Sequence, residues 1–130
     1  MNQQLCCLLD TISKLDPIVY QHLIAIDATN MFFCYRMFLV LFRREFRLSQ
    51  VFAVWEALFS HNFGPAMHIF VAFGFMETFR GSVLAIGDAD ELLAACLNHK
   101  PDAGQVLDAA MSLHDRYNIE AIENNWPKIG

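Results

Sequence analysis

Between Met31 and Phe42 every residue is apolar or aromatic except Arg36. A helix built from such a run is greasy on all sides, so it belongs in an interior and not on a surface. It falls well short of the roughly 20 apolar residues that cross a bilayer. Arg43 and Arg44 close the run where a helix dipole favours cations, and Ser49 offers an N-cap to a second periodic stretch through Phe52, Trp55 and Leu58 or Phe59. The segment from Asn30 to Phe59 therefore reads as two helices joined by a short charged turn, with the first forming the core.

The remaining segments carry helical signals of the same kind. Leu5, Leu8, Leu9, Ile12 and Leu15 recur at helical spacing. Asp16-Pro17 ends that helix and starts a short one reaching about Ile26. Asn62, Gly64 and Pro65 mark a turn, and the apolar run from Ala66 to Met76, broken only by His68 and Gly74, reads as a second buried helix. A glycine inside a helix costs about 1 kcal/mol relative to alanine, and close approach of a neighbouring helix is the usual compensation. Arg80-Gly81 is expected to loosen the chain. Asp88 with Glu91, and Asp102 with Gln105, have capping-box spacing and predict helices over 89–98 and 103–116. The tail from Asn118 carries a weak helical turn and is expected to fray. No stretch alternates as a strand does, so the fold class is all-α, with about six to seven helices. The expected divisions are a leading helix over 1–16, a lobe over 17–100, and a trailing helix with a frayed tail over 101–130. The expected core comprises Phe33, Met37, Leu41, Val51, Trp55, Ile69, Phe73, Met76 and Leu93.

Hydrophobic residues make up 55% of the 130 residues, above the roughly 45–50% usual for soluble proteins. A domain of this length buries only about two-thirds of the surface its unfolded chain exposes. Such a surplus is expected of a fragment whose other half covers part of it. The net charge of −5 has no basic stripe within it, which excludes nucleic acid as a partner. Polar Asn2, Gln3 and Gln4 after Met1 are unlike a secretory leader, and the cytosol is the expected compartment. Cys6, Cys7, Cys34 and Cys96 lack metal or redox spacing and read as small buried hydrophobes. No two of the five histidines lie four residues apart, and no phosphate-binding glycine motif occurs. No metal, no cofactor and no catalytic residue is therefore expected.

Arg36, in mid-run, is expected to meet a carboxylate, with Glu56 as the candidate, or to serve an interface. Arg43, Arg44 and Glu45 are either a solvated turn or candidate partner contacts.

Three blocks, LDPIVYQHL at 15–23, NMFFCYRMFLVLFRREF at 30–46 and VFAVWEALF at 51–59, together resemble the C-terminal half of a TBC domain, the all-helical domain of Rab GTPase-activating proteins. The resemblance covers about residues 15 to 97, and the order and spacing of the blocks make it more specific than any one of them. Met37 departs from the family's usual Trp, and the link between Phe59 and Met67 is short. In that family the catalytic arginine and glutamine come from IxxDxxR and YxQ motifs in the N-terminal half. Neither is found here: Ile24 and Asp27 are followed by Asn30 in place of arginine, and Tyr20-Gln21 lacks the spacing. The resemblance implies a lobe of a Rab-type GTPase activator, peripheral to endomembranes in the cytoplasm and inactive without its N-terminal lobe. A catalytically dead interaction module, or a bundle that self-associates through exposed apolar surface, would be the alternatives.

Overall fold

The computed structural model describes residues 2–59 and 66–126, all of it helix and connecting turns. In chain order the helices are α1 (Asn2–Leu15), α2 (Pro17–Ala25), α3 (Phe32–Leu39), α4 (Leu48–Leu58), α5 (Met67–Glu77), α6 (Arg80–Ala85), α7 (Ala89–Asn98) and α8 (Ala103–Asn124). The turn expected at Asn62–Pro65 lies outside the described residues.

The interior is organised on α5. From Ile69 to Met76 every residue is buried, and the side chains of Phe70, Phe73, Phe75 and Met76 are almost wholly removed from water, each worth about 1.5–3 kcal/mol. This helix packs most extensively on α8 and also meets α1, α3, α4 and α6. Gly74 makes the α8 contact possible. A Cβ at that position would stand 2.8 Å from the Val106 carbonyl and 3.0 Å from the Ala110 amide, so only a hydrogen lets the two backbones come this close. On the other side of the contact α8 presents Val106, Ala110, Leu113 and Tyr117, one face of a 3.6-residue period.

The run Met31–Phe42 behaves differently from its sequence expectation. It is helical only from Phe32 to Leu39, and its outer side leaves Phe32, Tyr35 and Leu39 exposed. The chain then turns through Leu41 and Phe42, both left-handed at φ 52° and 63°. The Phe42 amide reaches back to the Met37 carbonyl at 2.8 Å, the six-to-one bond of a Schellman cap made without glycine. Left-handed geometry costs a side-chain-bearing residue about 1–2 kcal/mol. Complete burial of Phe42 edge-on to Phe38, centroids 5.9 Å apart, contributes about 1.5–3 kcal/mol against about 2–4 kcal/mol for the two residues together. The same device closes α2, where Asp27 sits at φ 58° and Ala28 N donates to Leu23 O at 2.8 Å.

Three other expectations are corrected. Arg80-Gly81 opens α6 and does not loosen the chain. The helix expected to stop near residue 116 runs on to Asn124, where left-handed Asn125 caps it and Trp126 packs against Tyr117 at 5.4 Å. Of the expected core residues, Leu41, Trp55 and Leu93 are half-buried, while Phe33, Met37, Val51, Ile69, Phe73 and Met76 are buried. Asp88 and Asp102 do cap α7 and α8, accepting from Glu91 N at 2.8 Å and Gln105 N at 3.3 Å.

Candidate functional site

The bend that ends α3 and leads to α4 opens a cleft of about 550 Å³. Leu39, Val40 and Leu41 line it from the end of α3, Arg43 and Arg44 from the turn, and Trp55 from α4. Its shape is held from several directions. The Trp55 indole N–H donates to the Leu41 carbonyl at 2.8 Å, fixing α4 to the left-handed bend. Lys100 donates to the Arg44 carbonyl from the loop before α8. Gln50 bridges α4 to the start of α8, donating to Asp102 Oδ1 at 2.7 Å and accepting from Ala103 N at 3.0 Å.

Of the candidate partner contacts, Arg43 and Arg44 are exposed and Glu45 is not. Glu45 turns inward, 1% exposed, and its Oε2 meets Arg36 Nη2 at 3.3 Å. Arg36 therefore finds its carboxylate nine residues on, across the bend; Glu56, the partner expected from sequence, is exposed. The bend itself explains the difference: two left-handed residues fold the turn back beneath α3, bringing position 45 to the Arg36 side. The pair is incomplete, since Arg36 Nε and Glu45 Oε1 are buried without a partner among the described residues. Burial raises the Glu45 pKa more than the Arg36 charge lowers it. Cys96 is pushed up to about 12 by burial, with the Glu45 charge adding to it, and buried Cys34 is also raised. Both thiols are held neutral. All four cysteines are free, and Cys6 is exposed, contrary to its expected burial.

A second charged cluster ties the α1–α2 corner to the α5–α6 corner. Buried Asp16 caps α2 by accepting from Val19 N at 3.4 Å. It also receives two bonds from Arg80. Glu77 lies 3.7 Å from Arg80 Nε. Its pKa is raised to about 7, first by burial and then by the Asp16 carboxylate. Arg116, on α8, donates to the Leu15 carbonyl at 2.6 Å. These contacts join the α1–α2 corner to α5, α6 and α8.

Among the described residues no group of three or more His, Cys, Asp and Glu could hold a metal ion, and no helix is long and apolar enough to cross a membrane. Sequence reading missed Phe52 and Trp55 as site residues. Their aromatic spacing on α4 is a core signal in sequence, and only the bend shows that Phe52 stays outside.

The described residues thus form an all-helical lobe with a charged corner and an arginine-rimmed cleft. The chain belongs to the Rab-GTPase-TBC domain family, whose model matches residues 1–84. It is 31% identical over 117 residues to TBC1 domain family member 17 of Homo sapiens, covering 88% of this chain and 18% of that protein. It is 36% identical over 94 residues to the GTPase-activating protein gyp7 of Schizosaccharomyces pombe, covering 72% of this chain and 13% of the relative. The chain thus spans less than a fifth of the length of these relatives. No solved structure matches it.

Proposed function

We propose that this chain is the C-terminal lobe of a Rab GTPase-activating domain, stimulating GTP hydrolysis by a Rab-type small GTPase in the cytoplasm, at the periphery of endomembranes, when an N-terminal lobe is joined to it. The observation that carries this reading is the family match over residues 1–84, supported by relatives named as GTPase-activating proteins. A supporting role for these residues is part of the same reading. The sequence contains no IxxDxxR or YxQ motif to supply an arginine and a glutamine to the transferring phosphoryl group, and an arginine finger contributes about 10³ to 10⁵ in rate. On this reading the chain builds and stiffens one wall of the GTPase-facing surface, and the catalytic side chains come from the other lobe. The test is hydrolysis by a panel of GTP-loaded Rab proteins with the purified chain added. The intrinsic rate is expected throughout; a large acceleration by the chain alone would overturn the division of labour.

A further inference from the structure

The cleft at the α3–α4 bend combines features that the activator reading does not use. Leu39, which lines it, is 58% exposed, and Phe52, 66% exposed, abuts its Trp55 wall edge-on with ring centroids 5.8 Å apart. Two large apolar side chains are thus left in water next to a hollow already walled by a half-buried indole. Arg43 and Arg44 line the same hollow and are exposed, with Arg47 exposed just beyond them. In a chain of net charge −5 this is a local reversal of sign. Glu45, the acid nearest in sequence, does not cancel it, because it is turned inward onto Arg36. Glu56, one turn beyond Phe52, is the exposed acid that adjoins the patch on α4.

We propose that this cleft binds a segment of a partner protein in which a Leu- or Phe-like side chain is flanked by carboxylates. The apolar side chain enters beside Leu39 and Trp55, and Phe52 closes over it. The flanking carboxylates pair with Arg43 and Arg44, whose planar guanidinium forks match carboxylates in two-point geometry. The half-buried Trp55 indole and the hollow in front of it favour this occupant over an anionic bilayer, which would engage the protruding Leu39 and Phe52 but leave the recessed Trp55 wall unfilled. The inference does not depend on GTPase activation, because the cleft needs neither nucleotide nor Rab for this contact.

The experiment titrates the full chain, carrying Trp126→Phe so that emission reports Trp55, with a fluorescein-labelled peptide of sequence Glu-Glu-Asp-Leu-Phe-Asp-Glu-Glu. Saturable binding is expected with Kd on the order of 10–100 μM, together with a change in Trp55 emission. Arg43→Glu with Arg44→Glu should weaken it at least tenfold, Phe52→Ser severalfold, and added salt progressively. The same peptide with lysine at every acidic position should not bind. Because Arg43, Arg44 and Phe52 are exposed, the variants should keep the parent melting curve; the salt series and the lysine peptide test the proposal even if one does not. No binding to the parent chain, binding indifferent to the arginines and to salt, or binding to phosphatidylserine vesicles in place of the peptide would overturn it. Self-association that excludes the peptide, for example through exposed Ile119 and Ile122 of a second copy's α8, would also overturn it. The titration contains no GTPase, so its failure is separate from any failure of the hydrolysis assay.

Discussion

Arg80 grips Asp16 across 64 residues of chain, with Nε 2.8 Å from Oδ2 and Nη2 3.0 Å from Oδ1. The same carboxylate caps α2, so one buried acid sets both the start of a helix and its angle to the α5–α6 corner. Asp16→Ala should therefore lose at least the roughly 1 kcal/mol of an N-cap. Arg80→Ala keeps the cap but leaves the buried Asp16 carboxylate beside Glu77 without its cation, and should cost more than loss of the cap alone. Urea denaturation of the two variants measures the difference; an undetectable loss for Arg80→Ala would show that the ion pair contributes nothing.

Glu77 makes that corner sensitive to pH. Its folded pKa of about 7 lies above the ordinary carboxylate value, because burial and the Asp16 charge both favour the protonated form. Between about pH 4.5 and 7 the folded state then binds the extra proton, and stability falls as pH rises through this window. The loss is about 1–2 kcal/mol once solvent screening at this partly exposed group is allowed for. Asp16, whose pKa is lowered, acts oppositely: its contribution is present above its unfolded pKa and disappears as pH falls through the folded one. Glu77→Gln, whose amide can still donate to Asp16, should flatten most of the decline between pH 5 and 7.5, leaving the opposed contributions of Glu45, raised by burial, and His99, lowered by burial. Melting temperatures across pH for the parent and the variant check this.

Gly74 and Gly81 are both helical glycines with opposite expectations. Alanine at Gly74 collides with the Val106 carbonyl and Ala110 amide, and forcing α5 from α8 should cost about 1–3 kcal/mol net of any gain in helix propensity. Alanine at Gly81 meets nothing within 4 Å and should stabilise by about 0.5–1 kcal/mol. Thermal melts of the two variants should shift in opposite directions.

Removing Arg36 alone leaves Glu45 buried without its cation. Arg36→Leu should cost about 3 kcal/mol, and Arg36→Leu with Glu45→Leu less than that. Denaturant titrations of both singles and the double give the coupling energy. Simple additivity would mean that the 3.3 Å contact carries no energy.

Most helix positions and three caps were readable from the sequence because their signals are local, but the N-cap expected at Ser49 was not, since α4 already starts at Leu48 behind Arg47. Asp16-Pro17, Asp88 and Asp102 each satisfy nearby amides, and Gly74 amid apolar residues announced a close helix contact. The bend at Leu41 and Phe42 was not readable: left-handed geometry usually rests on glycine or asparagine, and here buried Phe42 compensates in part for its absence. Missing the bend paired Arg36 with the wrong acid and hid the cleft. A run that is apolar on every side also carries no period to tell which face points out, so the exposed Phe32, Tyr35 and Leu39 side of α3 left no trace in the pattern. At the other end α8 outran its expected stop because its cap, Asn125 with Trp126 folded onto Tyr117, depends on a contact with a neighbouring turn of the same helix.

The central claim is that these residues are a working lobe whose catalysis resides elsewhere. A chimera joining the N-terminal half of the TBC domain of TBC1 domain family member 17 to this chain tests it directly, assayed for GTP hydrolysis on a panel of Rab proteins beside the unaltered relative. The account predicts at least a tenfold acceleration over the intrinsic rate by the chimera and none by the chain alone. A folded chimera that leaves every Rab at its intrinsic rate while the relative accelerates one of them would contradict it.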